Sequence, residues 1–185
     1  MEPMRSRKAL LSALMLGGGV MLAAGQAVAE QLTLAFGVPG VVASVSAKPG
    51  QKLAQGDELA RLDQSVFRAD AAMTRAQLAA AQERAKQADA EAGRVKQLYD
   101  DLNTSAEELE KAQLAAVEAK AGLAVAQRDH ARAQWRLKQS VLRAPLAGWA
   151  ARVPGYVGLV THPQAGAAPI VVIDVVKTMD DKSAK

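Results

Sequence analysis

The chain lacks cysteine, and only 3% of its 185 residues are aromatic. Without cysteine there are no disulfides and no thiol chemistry, and lipoprotein processing, which needs a cysteine at the cleavage point, is excluded. Because aromatic side chains are so few, a large and thick globular core is not expected. Hydrophobic residues still make up 50% of the chain, but many are alanine, which favours helix and buries little area. This composition favours long, thin, packed helices.

The N-terminus has the pattern of a secretion signal. Three basic residues lie within residues 5–8, an uncharged apolar stretch covers residues 9–25, and the small residues Ala27 and Ala29 follow where a signal peptidase reads. We therefore expect cleavage before Glu30 and export to the periplasm. An uncleaved membrane anchor is the alternative.

The charge of the exported part argues against a nucleic-acid partner. The chain contains 23 Lys+Arg and 19 Asp+Glu. Three of the basic residues and one of the acidic residues lie within residues 1–29, which leaves 20 basic and 18 acidic residues in the exported part. These alternate along a helical pattern, which is typical of the solvated flank of a coiled coil and not of a patch that follows phosphates.

The exported part divides by composition into three segments and a tail. Residues 30–63 and 141–176 are rich in Val and Gly, with Pro and Gly at turns, which predicts short strands. Residues 64–140 contain no proline and are rich in Ala, Gln, Glu and Arg, which predicts helix. Residues 177–185 form the tail. Because neither strand segment can bury its apolar faces alone, the predicted fold class is α+β: a long antiparallel coiled-coil α-hairpin inserted between two halves of one β domain.

The helical segment is predicted to break once, in the polar turn at residues 100–105, where Ser105 and Glu108 can form a capping box. On each side of the turn, steps of three and four residues define a seam of mostly small residues. Two arms of nearly equal length can pair as a rod of about 50 Å and return Asp63 and Ser140 to the same end. The first seam is Phe67, Ala71, Thr74, Leu78, Ala81, Ala85, Ala88, Ala92, Val95, Tyr99 and Leu102, and the second is Leu109, Ala112, Ala116, Ala119, Leu123, Ala126, His130, Ala133 and Leu137.

The strand segments carry motifs of a known family. Residues 40–45, 49–59 and 62–63 look like a first half-lipoyl motif, and residues 142–148 look like the motif that re-enters a lipoyl domain after a hairpin. In order and motif the chain resembles the membrane fusion proteins, or periplasmic adaptors, of tripartite efflux and type 1 secretion systems (HlyD-like and RND efflux adaptor types). The resemblance implies a lipoyl-like (barrel-sandwich hybrid) β domain with no cofactor. The motif positions with structural roles are Gly40, Pro49, Gly50, Gly56, Asp63, Arg143, Ala144, Pro145, Gly148 and Gly155, and residues 166 and 169–173 continue the second half.

The hairpin tip carries a further resemblance. Arg94, Leu98 and Ser105 match the spaced Arg, Leu and Ser with which this family meets the periplasmic end of a TolC-like outer-membrane channel. The resemblance implies an adaptor that bridges such a channel and an inner-membrane transporter of RND or ABC type, and that assembles as a homo-oligomer. A solvated Arg, an apolar helix-end Leu and a capping Ser are the alternative interpretation of the three residues. The alternative function is a standalone periplasmic coiled-coil scaffold, or an adaptor remnant without a transport role.

The sequence departs from the family at its ends. These adaptors usually carry a β-barrel, and often a membrane-proximal domain, built from segments that flank the lipoyl halves. Only residues 30–33 precede the first half here, and about a dozen residues follow the second. We therefore expect a minimal form, with a lipoyl-like domain and hairpin only.

No constellation for catalysis or metal binding is recognised, so the chain is not expected to be an enzyme. His130 falls on a seam and His162 stands beside a proline in a predicted turn, with no second metal-ligating histidine near either. Lipoyl carriers present a lysine at the turn between their halves, a place that the hairpin occupies here. Lys177 is assigned to the tail.

Overall fold

The computed structural model describes residues 30–166 and 168–175. Two long helices lie between groups of short strands, which confirms the α+β class in its general form. The predicted signal peptide, residues 1–29, and the tail, residues 177–185, lie outside the described residues. In chain order the elements are β1 (Glu30–Leu34), β2 (Gly40–Val45), β3 (Lys52–Leu53), β4 (Glu58–Leu62), α1 (Ser65–Asp100), α2 (Ala106–Gln139), β5 (Val141–Arg143), β6 (Gly148–Arg152), β7 (Val160–Thr161), a 3₁₀ helix (Pro163–Ala165) and β8 (Val171–Val175).

The ends of the helices follow from local chemistry. Before α1, the Asp63 carboxylate accepts a hydrogen bond from Ser65 N–H at 2.9 Å, which satisfies one of the donors that a helix start leaves without a partner. The same bond lowers the pKa of Asp63, because it favours the charged form. The stability that this hydrogen bond contributes is therefore present above the unfolded-state pKa of Asp63 and is lost as pH falls through its folded-state pKa.

In the last turn of α2, Arg136 and Lys138 complement the helix dipole.

The predicted seams are confirmed over nearly their whole length. Each first-seam position from Phe67 to Val95 is buried or half-buried, and so is every position of the second seam. The helices are antiparallel, since Thr74 near the start of α1 lies against His130 near the end of α2. The prediction was wrong for Tyr99 and Leu102, which are exposed, because α1 ends at Asp100 and leaves them no facing helix.

Thr74, the seam position that breaks the apolar pattern, is buried at 8% exposure. Its hydroxyl donates to the carbonyl oxygen of Asp70 at 2.8 Å and lies 3.2 Å from Nδ1 of His130. Because the hydroxyl hydrogen is directed at that carbonyl, its oxygen can accept from the imidazole. A polar side chain at a seam position therefore has its partners, and the pair joins the two helices at one register.

Thr74→Val is expected to lower the free energy of unfolding by about 1 kcal/mol, because it removes the hydroxyl while keeping the shape of the side chain. Urea denaturation followed by circular dichroism measures the change. In a His130→Ala background the same substitution should cost less, since the partner is already absent. An equal cost in both backgrounds would show that the two side chains act independently.

The strands form two four-stranded antiparallel sheets, with orders β1-β8-β6-β3 and β5-β4-β2-β7. Each sheet takes two strands from before the hairpin and two from after it. Leu32 of β1 pairs with Ile173 of β8, and Arg61 of β4 pairs with Val141 of β5. The two flanking segments are thus interleaved in both sheets.

One buried apolar cluster contains residues of both sheets and of both flanking segments. It is the main core of the described residues, because the helices bury mostly alanine along their seams. Its largest fully buried side chains are Val42, Leu53, Leu59, Leu62, Ile170, Val171 and Ile173.

The two ends of the hairpin meet at its base, as predicted. Leu62 N–H donates to the carbonyl oxygen of Ser140 at 2.9 Å. The Gln64 side-chain amide donates to Ser140 Oγ at 2.7 Å, and that hydroxyl in turn donates to the carbonyl oxygen of Leu137 at 2.6 Å. Ser140 is fully buried, so its polar atoms have partners within the chain. These bonds tie the helices directly to the sheets.

Candidate functional site

The far end of the hairpin, here called the tip, comprises the last turns of α1, the connection at residues 101–105 and the first turn of α2. The helices contain 36 and 34 residues, so the tip lies about 50 Å from the sheets at a rise of 1.5 Å per residue. It is the part of the described chain farthest from the core, and it is accessible to another protein.

The connection at the tip closes α1 with a Schellman motif. Asn103 N–H donates to the carbonyl oxygen of Leu98 at 2.8 Å, and Leu102 N–H donates to that of Tyr99 at 3.0 Å. Leu102 has a φ of 57°, the left-handed conformation that this motif requires after the helix cap. The first part of the connection is therefore a defined turn, with the N–H groups of residues 101–103 paired to carbonyl oxygens of α1.

The start of α2 is capped as predicted. Ser105 has an extended backbone, and its hydroxyl accepts a hydrogen bond from Glu108 N–H at 3.2 Å. This bond is one half of the predicted capping box. Glu107 and Glu108 in the first turn place negative charge where the helix dipole favours it.

The three tip residues named from the sequence lie at this end of the rod. Arg94 and Leu98 are one turn apart on the same face of α1, and Ser105 begins α2. The Arg94 side chain is 68% exposed and pairs with Glu91, an exposed ion pair that costs little to break. Leu98 is 41% exposed. That the three form one binding surface stays a prediction.

Two apolar residues at the tip were missed as candidate site residues. Tyr99 is 39% exposed, and Leu102 is 91% exposed. Sequence reasoning assigned both to the first seam. The available signal was the position of Leu102 in a polar turn, where the seam has no facing helix to continue against.

The sequence motifs of the two strand segments meet in the β domain. Gly56 has a φ of 91°, and its N–H donates to the carbonyl oxygen of Ala144 at 2.8 Å. The Arg143 guanidinium donates to the carbonyl oxygen of Gly56 at 2.9 Å. Pro49 and Gly50 lie in another turn, where Gly50 N–H donates to the carbonyl oxygen of Ala150 at 2.7 Å. These motif residues therefore hold the two segments together.

A stripe of exposed apolar side chains runs along α2 on the face that points away from α1. It comprises Leu114, Val117, Val125 and Trp135, which are 49% to 63% exposed. At 100° per residue these positions fall opposite the seam. Exposed apolar side chains that share one face can be buried against another protein; this set is called the outer stripe.

Within residues 30–166 and 168–175 there is no group of three or more His, Asp or Glu side chains suited to hold a metal ion. His130 lies in the helix seam with Thr74, and His162 is exposed at the start of the 3₁₀ helix. In the same part of the chain, no helix combines the length and apolarity needed to cross a bilayer. Lys177 lies outside the described residues.

No protein-family model matches the chain. Among curated proteins, it is 34% identical over 130 residues to YdhJ, an uncharacterised protein of Escherichia coli strain K12. The matched region is 70% of this chain and 45% of YdhJ. The chain thus spans less than half the length of this relative.

Solved structures share its fold at low sequence identity. The membrane fusion protein Spr0693 of Streptococcus pneumoniae R6 superposes with a TM-score of 0.60 at 17% identity, covering 78% of this chain and 59% of its own. ZneB of Cupriavidus metallidurans superposes with a TM-score of 0.56 at 16% identity, and the match covers 78% of this chain and 60% of ZneB. A MacA–MexA chimera with the Pseudomonas aeruginosa MexA α-hairpin superposes with a TM-score of 0.55 at 23% identity, and the match covers 78% of this chain and 48% of the chimera. The chain has an adaptor-like fold, that of the membrane fusion proteins.

Proposed function

We propose that this chain is the adaptor subunit of a tripartite efflux or secretion system, and that its hairpin tip docks on a TolC-like outer-membrane channel. The observation that carries the proposal is the hairpin: two helices paired along nearly the whole length of their seams hold a tip about 50 Å from the β domain. Arg94, Leu98 and Ser105 lie at that tip. Such a rod can hold a contact surface far from the domain that carries it.

The β domain is proposed to be lipoyl-like, with halves at residues 30–63 and 141–176 around a hairpin at residues 64–140. Support comes from the interleaving of strands from both segments in each sheet. At its membrane-proximal side the adaptor would contact an inner-membrane transporter of RND or ABC type.

Assembly of several copies side by side is part of the proposal. The outer stripe supports it, because an apolar face that α1 leaves uncovered can be buried against the hairpin of a neighbouring copy. A homo-oligomer would also place several tips together, so that weak single contacts with a channel add up through multivalency.

Export is proposed from the signal at residues 1–29, and we predict that the mature chain begins at Glu30. The small residues at positions 27 and 29 fit the specificity of signal peptidase. N-terminal sequencing of the protein from the periplasmic fraction should read Glu30 first. An intact Met1 recovered with membranes would establish an anchor instead.

Arg94→Asp is expected to weaken binding to a purified TolC-like channel by at least about tenfold, because an interface arginine pairs with carbonyls or carboxylates that an aspartate would repel. Folding should change by less than about 1 kcal/mol, since the Arg94–Glu91 pair is exposed. Biolayer interferometry measures the affinity, and circular dichroism measures the melting curve.

Arg75→Asp is the matched control for this substitution. Arg75 is exposed on the same helix, 19 residues before Arg94 and therefore about 28 Å farther from the tip. It should leave channel binding unchanged. Equal affinities for Arg94→Asp, Arg75→Asp and the unaltered chain would remove Arg94 from the interface and favour the scaffold interpretation.

A further inference from the structure

Leu102 combines two features that the fold does not require. Its side chain is 91% exposed, the largest exposed fraction among the large hydrophobic residues described. It is also the only non-glycine residue with a positive φ, 57°, among residues 30–166 and 168–175. An exposed leucine alone needs no explanation, but an exposed leucine in a strained backbone conformation does.

The position of Leu102 in the turn shows why its identity is unexpected. Its N–H and that of Asn103 close the Schellman motif on the carbonyl oxygens of Tyr99 and Leu98. Glycine, and to a lesser degree asparagine, is favoured at this position, because the left-handed conformation brings Cβ close to the backbone. A leucine here weakens the turn relative to glycine, and its exposed side chain gains little from packing within the chain.

Strained residues persist where another interaction compensates the strain, most often at binding sites. No such compensation exists among the described residues, because only a small fraction of the Leu102 side chain is covered. A contact with another molecule would supply that compensation. The turn holds the leucine at the apex of the rod, so its backbone loses little freedom on binding.

The surroundings of Leu102 define what would receive it. The partly exposed Leu98 and Tyr99 widen the apolar area next to it. Around this area lie acidic side chains, with Asp101, Glu107 and Glu108 all exposed. The complementary surface is an apolar socket of about the size of one leucine side chain, bordered by basic groups or N–H donors.

We propose that Leu102 is an anchor residue of the tip, which inserts into an apolar socket with a basic rim on the outer-membrane channel. This inference rests on the proposed function and adds a contact that Arg94, Leu98 and Ser105 do not include. The chain keeps leucine in the turn at the expense of hairpin stability because the leucine binds the partner. Stability and binding should therefore respond to substitution in opposite directions.

Leu102→Gly tests this in the full chain against a purified, immobilised TolC-like channel from the same organism. We expect the melting temperature to rise by a few degrees, because glycine relieves the left-handed strain, and the affinity for the channel to fall by about tenfold or more. Leu102→Met should retain affinity within about threefold, since it keeps a long apolar side chain.

Met73→Ala, which removes another exposed apolar side chain from the first half of α1, is the control and should leave the affinity unchanged. Leu102→Ala should lose affinity, but its melting temperature should rise less than that of Leu102→Gly, which separates the effect of the side chain from that of the backbone.

If the unaltered chain binds the channel and Leu102→Gly binds it equally, or if Leu102→Gly melts at a lower temperature, the anchor role of Leu102 is overturned while the proposed function stands. If the unaltered chain does not bind the channel, both are overturned.

Discussion

Gly148→Ala is expected to destabilise the β domain by at least about 3 kcal/mol. A Cβ at Gly148 would lie 2.5 Å from the carbonyl oxygen of Asp174 and 2.8 Å from Cγ2 of Ile173. The first neighbour is backbone within the β6–β8 pairing and cannot move without breaking the ladder. Denaturant unfolding, followed by the fluorescence of Trp149 on β6, measures the loss.

Gly93→Ala is the matched control, because a Cβ there meets nothing within 4 Å. Alanine in the interior of a helix is favoured over glycine by about 1 kcal/mol, so this substitution should stabilise the hairpin. The two glycine-to-alanine changes are thus expected to act with opposite sign. A Gly148→Ala variant that unfolds at the same denaturant concentration as the unaltered chain would contradict the close approach of β6 and β8.

Residues 30–63 expressed alone are expected to remain unfolded, and so are residues 140–185. Each sheet lacks two of its four strands in either fragment, so neither fragment can enclose the apolar cluster that both supply. Nuclear magnetic resonance should show amide signals without dispersion or protection from exchange.

Joining the two fragments provides the control. Leu62 and Ser140 are linked by a backbone hydrogen bond of 2.9 Å, so replacing residues 65–139 with a short Gly-Ser linker should let the β domain fold as one cooperative unit. Dispersed and protected amide signals from residues 30–63 alone would contradict the interleaved arrangement.

The helical half of the fold was predictable because its pattern repeats at every turn. Alanine or another small residue stands at nearly each step of three or four from Phe67 to Val95, so local spacing alone specifies which face is covered. Ser105 and Glu108 then marked the start of α2 through capping chemistry. Both signals are local, and sequence reasoning uses local signals well.

The tip was predicted less well for a physical reason. The first seam was extended to Leu102, inside the predicted turn, whereas a Schellman motif ends α1 before that residue. The usual mark of that motif is a glycine, and a leucine stands in its place. The turn itself was predicted at residues 100–105, but without a glycine its left-handed position at Leu102 was not recognised.

Strand pairing was beyond the reach of the sequence. Strands β3 and β7 have two residues each, too few for an alternating pattern, and they pair with strands from across the hairpin. The buried hydroxyl of Ser140 was missed because its partners Gln64 and Leu137 are specified only once the helix ends meet. Gly148 was noted as a motif residue, but only the structure shows why glycine is needed there: the backbone of Asp174 lies too close to leave room for a Cβ.

We propose that the chain connects an outer-membrane channel to an inner-membrane transporter through its hairpin. The most direct measurement is affinity purification of the tagged, full chain from the native envelope after crosslinking, with the Arg94→Asp variant in parallel. We expect the unaltered chain to recover a TolC-like channel together with an RND or ABC transporter. Arg94→Asp should keep the transporter while losing most of the channel. Recovery of neither membrane protein with the unaltered chain would contradict the adaptor function.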